Sequence, residues 1–153
     1  MQKKVALEES SIFAGLTPGV LARIRSFCRE QTFEPGTTIF REGESSEHLY
    51  VLGSGTVELS CLLPGSTTTT IRITRIAPGD VFGWSALALG EKLTADARAV
   101  SESVAYLVPG SRLTEVFDED PRAGYHVMKC LTQVIARRLR DTRSELRWMH
   151  SAV

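Results

Sequence analysis

At 153 residues, 42% hydrophobic and 24% charged, the chain is sized for one globular domain with a core that needs no metal or disulfide staples. Eighteen basic side chains balance eighteen acidic ones, so no overall charge draws it to nucleic acid, anionic membrane or acidic substrate, and a charge-driven partner must meet a local patch. Cys28, Cys61 and Cys130 fall in no CxxC or Cys/His grouping, and neither a signal-peptide h-region nor a run of some eighteen apolar residues is present, which together point to a cytoplasmic chain without disulfide framework, zinc site or membrane span.

The first segment reads as helical, with Ile12, Phe13 and Leu16 apolar. Thr17 as N-cap and Pro18 at the first helical position then start a helix to about Cys28, whose buried stripe is Leu21, Ile24 and Phe27 or Cys28. From Gln31 to Leu107 the texture changes to short β-prone runs at 37–40, 49–52, 56–63, 67–76, 80–82, 95–100 and 104–108. Between them stand explicit corners such as Pro35-Gly36, Gly53-Ser54-Gly55, Pro64-Gly65 and Pro78-Gly79-Asp80. After Pro109 the helical pattern returns: Ser111 can cap a short helix through Phe117, and Asp120-Pro121 opens a long one to about His150. The expected fold class is α+β, a double-stranded β-helix (jelly-roll) barrel with N-terminal helices and a long C-terminal dimerisation helix. All of 1–153 is expected to form one domain: a helical lead-in (1–30), the barrel (31–108, with a ligand cassette at 78–99) and the closing helices (111–150).

Along the long helix Met128, Thr132, Ile135, Leu139, Thr142, Leu146 and Met149 alternate spacings of four and three, the seam of a coiled coil, which predicts a homodimer. The alternative is one amphipathic helix capping its own barrel. A second stripe, Val127, Leu131 and Val134, stops where Arg138 falls. The first half of the helix should therefore pack on barrel and partner together, and the second half should leave the barrel.

The stretch Phe33-Glu34-Pro35-Gly36-Thr37-Thr38-Ile39-Phe40-Arg41-Glu42-Gly43-Glu44, followed by Leu49-Tyr50-Val51-Leu52-Gly53-Ser54-Gly55-Thr56-Val57-Glu58, resembles the opening strands of cyclic-nucleotide-binding domains of the Crp/Fnr type. Pro78-Gly79-Asp80-Val81-Phe82-Gly83 is similar to the strand leading into that family's phosphate-binding cassette. The resemblance implies a non-enzymatic sensor that binds cyclic AMP, cyclic GMP (cAMP, cGMP) or another small anion. The ligand-contacting positions carried over are Gly83, Trp84, Ser85, Ala86, Lys92, Leu93 and Thr94. Cassettes that hold cyclic AMP well follow the glycine with a ribose-binding glutamate, where this chain has Trp84. Their phosphate-binding arginine falls at Leu93 when the chain is anchored on Arg98-Ala99, with Lys92 adjacent. Each lost contact costs roughly 1.5–3 kcal/mol.

Two readings stand. In one the pocket binds a small anionic or nucleotide-like ligand through N–H groups of Gly83 to Ala86, the hydroxyls of Ser85 and Thr94 and the Lys92 ammonium, and Thr132 or Thr142 reaches across the dimer toward it. In the other Trp84 and Leu93 plug the pocket, and the chain is a ligand-free dimeric module that regulates a partner protein, with Trp148 and Met149 as anchors. Arg137, Arg138, Arg140, Arg143 and Arg147 read as a solvated or salt-bridged helix face interleaved with Asp141 and Glu145. This reading expects no specific DNA binding, because the chain reaches Val153 before a helix-turn-helix could begin. His48, in a turn, His126 and His150 read as surface residues, and no catalytic grouping emerges.

Overall fold

Thr17 and Pro18 start the first helix as their chemistry requires: the threonine hydroxyl accepts from the Val20 N–H at 3.4 Å, and proline takes the first position, where no amide is needed. The computed structural model describes residues 3–88 and 92–151, so Leu89–Glu91 of the expected cassette and both chain ends lie outside the described residues. A 3-10 turn at Leu7–Glu9 and a run of turns precede α1 (Pro18–Phe27), so Ile12 and Phe13 are fully buried without being helical. Eight strands follow: β1 (Arg29–Phe33), β2 (Thr38–Phe40), β3 (His48–Ser54), β4 (Val57–Leu62), β5 (Thr70–Ile76), β6 (Val81–Phe82), β7 (Asp96–Ala99) and β8 (Ser103–Pro109). The chain then runs into α2 (Gly110–Glu119) and α3 (Pro121–Ser151).

The strands form two four-stranded antiparallel sheets, ordered β1-β8-β3-β6 and β2-β7-β4-β5. This corrects the expected jelly-roll barrel, because the sheets do not close on each other. The chain changes sheet at corners that interrupt the ladder. One is the turn at Gly55, held at φ +89° with no room for a Cβ against Ser103 and the Glu102 carbonyl; another is Pro78-Gly79. β2, with three residues, and β6, with two, are too short to carry a ladder from one sheet to the other.

Period-two alternation sorts the core into two layers. From β3, Leu49 and Val51 face the helices, where they meet Ile24, Val108, Leu113, Val127 and Val134; Tyr50 and Leu52 face the other sheet and meet Phe40, Val57 and Phe82. Each fully buried aliphatic side chain contributes roughly 1.5–3 kcal/mol.

Three local expectations change. β1 has a mostly polar sequence and is a strand because it pairs in register with β8, from Arg29 opposite Leu107 to Phe33 opposite Ser103. No Ser111 side chain caps α2, which starts directly from β8 at Gly110. His48 lies in β3 rather than a turn, half-buried, and burial holds its imidazole below the ordinary histidine range.

The stripe of α3 also continues where it was expected to stop. Arg138 follows Val127, Leu131 and Val134 on the same face and is only 5% exposed. Beyond it the helix stays on the second sheet: the Thr74 hydroxyl donates to Asp141 at 3.2 Å, and Arg72 pairs with Glu145 at 3.4 Å. The second half of α3 therefore runs along β5 instead of leaving the sheets.

Candidate functional site

Strand β6 delivers the chain to Gly83, whose φ of +73° and ψ of +29° suit glycine alone; a Cβ there would stand 2.8 Å from the Tyr50 ring. The 3-10 turn Trp84–Leu87 follows. It packs on the first residue of α2 so closely that a Cβ on Gly110 would lie 2.1 Å from the Ala86 carbonyl oxygen. The cassette is thus wedged between β3 and α2, and any displacement of it is felt by the helical layer.

The carried-over site residues divide. Gly83, Trp84, Ser85, Leu93 and Thr94 line one cavity of about 40 Å³, together with Phe40 and Leu59. The Ala86 amide donates to the Gly83 carbonyl at 3.4 Å and so is partly used within the turn. Lys92 is exposed and lines neither this cavity nor its neighbour. Leu93 is 6% exposed in the core with Phe40, Leu59, Phe82 and Ala97. It is pinned there by its backbone, which accepts from the Gly43 N–H at 2.8 Å and donates to the Glu44 carbonyl at 2.9 Å. Beside it the Phe40, Tyr50 and Phe82 rings fill the space between the sheets, with centroids 5.0–6.0 Å apart. On the other side of Leu93 lies a cavity of about 140 Å³ with Glu44, Glu47 and His48 in its wall.

As the described residues bound them, both cavities are smaller than a nucleotide pocket. Pockets for ligands of that size hold on the order of 300 Å³ or more. Among the described residues no basic side chain lines the first cavity, and the second has Glu44 and Glu47 in its wall.

Trp84 is engaged on its other face. The Arg138 guanidinium carbon stands 5.1 Å from its ring centroid, a cation–π contact in a largely dry setting. The same guanidinium donates to the Val81 carbonyl and lies 3.3 Å from an Asp80 carboxylate oxygen, to which Arg137 also donates at 2.9 Å. The other Asp80 oxygen accepts from the Val81 N–H at 2.9 Å. Burial presses the Arg138 pKa downward against the pull of Asp80, and its Nη1 has no partner among the described residues. Asp80 and Arg138 thus tie both ends of β6 to α3, a connection the sequence reading missed. The available signal was the spacing of Val127, Leu131, Val134 and Arg138, which puts a charge on a buried stripe and calls for a buried partner.

The seam positions Met128, Thr132, Ile135, Leu139, Leu146 and Met149 are exposed, and Thr142 is half-buried. The Thr132 and Thr142 hydroxyls donate to Met128 and Arg138 carbonyls one turn back, so both are satisfied within the helix. His126 holds α3 to the N-terminal turns, its Nε2 lying 2.6 Å from the Ala14 carbonyl.

Among the described residues the three cysteines are free and no group of side chains has metal-ligand geometry. Burial pushes the Cys28 thiol up to about 11, from an ordinary 9.0. Alkylation of Cys28 by iodoacetamide near neutral pH is therefore expected to run about a hundredfold slower than for an exposed thiol. Peptide mapping after timed labelling checks this, and labelling at the exposed-thiol rate contradicts it.

Residues 30–120 match the family model described as the cyclic nucleotide-binding domain. A CRP-like cAMP-activated global transcriptional regulator of Mycobacterium tuberculosis is 28% identical over 140 residues, which cover 92% of this chain and 60% of that protein. Among solved structures, the N-terminal domain of a transcriptional regulator from Streptomyces coelicolor superposes with a TM-score of 0.69 at 25% identity, over 92% of this chain and 94% of that one. The Thermus thermophilus catabolite activator protein superposes at 0.72 with 26% identity, over 92% and 63%. The chain spans about three fifths of the length of the curated transcriptional regulators it matches. What carries across is the domain type, regulatory and non-catalytic, with a small cyclic-nucleotide-like ligand as the class to test at its cassette. The family model over residues 30–120 and these relatives agree: this chain belongs to the cyclic nucleotide-binding domain family, of the Crp/Fnr sensor type.

Proposed function

We propose that the chain is a single regulatory domain that works as a homodimer through α3, and that its cassette pocket is held shut by its own side chains rather than by a tightly bound cyclic nucleotide. The observation that carries this reading is Leu93, buried at the position where the family resemblance places a phosphate-binding arginine, beside a cavity of only about 40 Å³. To admit a nucleotide, Leu93 must leave the core at roughly 1.5–3 kcal/mol, on top of the two missing polar contacts. Together these amount to about three decades of affinity or more relative to a cassette that has both contacts. The three free cysteines support a reducing compartment, and no helix among the described residues is long and apolar enough to cross a membrane.

Signal passage in this reading is mechanical. The cassette turn abuts Gly110 of α2, and Trp84 rests on Arg138 of α3, so the state of the cassette and the pitch of the dimer helix bias each other. Input then comes from a partner or from dimerisation itself. Titration with cAMP, cGMP and a nucleotide panel by calorimetry and thermal shift is expected to give neither heat nor stabilisation. Saturable binding of cAMP or cGMP at micromolar affinity or better would overturn the closed-pocket reading and restore the nucleotide sensor.

A further inference from the structure

One charged surface is absorbed neither by the cassette nor by the seam. Of the five arginines between positions 137 and 147, Arg137 and Arg138 share Asp80. Arg140, Arg143 and Arg147 are exposed and form no ion pair among the described residues. Spaced at i, i+3 and i+7, they make one basic strip along two turns of α3.

A groove of about 780 Å³ lies between β5 and the end of α3. It continues into a second hollow of about 460 Å³, lined by Arg147 of the strip, through shared walls at Ser144 and Trp148. Four consecutive strand residues, Arg72 to Arg75, line it. Because side chains of a strand alternate in direction, a groove lined by four in a row follows the strand edge rather than one face. β5 is an edge strand, paired with β4 alone. Trp148 stands over the groove, 75% exposed. Of the groove's carboxylates, Glu145 is paired with Arg72, while Asp141 accepts from the neutral Thr74 hydroxyl and keeps its charge; the three unpaired arginines of the strip outnumber it. At 100° per residue, Asp141, Ser144, Glu145 and Trp148 lie on the side of α3 turned away from Leu139 and Leu146, so groove and seam can be occupied together.

We infer that the groove between β5 and α3 docks an extended, acidic segment of a protein partner, with Trp148 taking an apolar side chain and the Arg140, Arg143 and Arg147 strip taking its carboxylates. The free strand edge suits an extended chain. An exposed tryptophan ringed by arginine has the composition of an interaction hot spot. A nucleic-acid duplex suits the site less, since it has no row of backbone N–H and C=O groups to pair with the β5 edge. The inference names a partner class for the regulatory reading above but does not depend on the closed pocket or on the dimer.

The test is fluorescence anisotropy of the full chain with short labelled peptides rich in glutamate around one central phenylalanine. Lysine-substituted versions and a random-sequence DNA duplex serve as the other arms. Saturable binding of the acidic peptides alone is expected, weakened about tenfold by Trp148→Ala and again by Arg147→Glu. Both sites are exposed, so the variants keep the native melting temperature, and sedimentation of the same samples shows whether the dimer persists. No binding of the acidic peptides, binding indifferent to both variants, or preference for the duplex overturns the inference. A monomer that still binds the acidic peptides removes the dimer and leaves the groove standing.

Discussion

Leu139→Glu is expected to convert the protein to a monomer at micromolar concentration while leaving its fold intact. Leu139 stands at the middle of the exposed seam, flanked by Ile135 and Leu146 one and two turns away, and is 50% exposed in the single chain. No intramolecular contact of consequence depends on it, since the stripe that holds α3 to the sheets is Val127, Leu131, Val134 and Arg138. Across a two-fold axis the substitution removes two half-exposed leucines from a shared interface, about 1.5–3 kcal/mol together, and sets two carboxylates against each other. About one to two decades in the dimer constant follow from the apolar loss alone, and the facing carboxylates add to it. Sedimentation velocity reads the mass, and circular dichroism with a thermal melt reads the fold. If Leu139→Glu sediments as the native protein does, α3 does not pair through this seam, and its exposed face must be covered by something else.

How much of this was legible beforehand depends on whether a feature is local in the chain. The corners at Gly55 and Pro78-Gly79 and the N-cap at Thr17 were readable because turn and cap chemistry acts over two to four residues. The extent of α3 was readable because helical spacing is periodic and Pro121 marks its start. Strand β1 was not, because Arg-Glu-Gln-Thr-Phe acquires its strand only from β8, some seventy residues on. Barrel closure was misjudged for a related reason: strand count and turn spacing are visible in a sequence, whereas the lengths that let a ladder cross a corner are settled by packing. Within the site, Gly83 and the departures at Trp84 and Leu93 could be located from the family resemblance. That Leu93 fills the pocket was one of the two readings the residues left open, whereas the turn of Trp84 toward α3 depended on Arg138, whose charge made a buried stripe look as if it ended.

That arginine yields the second large effect. In the native chain Arg138 satisfies Val81, Asp80 and Trp84 at once from a nearly dry position, and one of its nitrogens is left without a partner. Arg138→Ala is expected to cost about 3 kcal/mol, the low end for breaking a buried pair, because Arg137 remains on Asp80. Arg138→Met keeps the apolar stem and removes the unpaired nitrogen along with the charge, so it should cost about 1 kcal/mol or less. Denaturant melts of the two variants give the difference. Stability alone does not separate a coupling residue from a packing one, so the second readout is Trp84 itself. In a Trp148→Phe background it is the sole tryptophan of a chain that has two. With Arg138 in place, dilution through the dimer constant should shift Trp84 emission, because the helix that pairs also carries the cation over the ring. With Arg138→Met the same dilution should leave the emission still while the mass halves as before. An emission shift that survives Arg138→Met would show that dimer and cassette communicate through α2 and Gly110 instead.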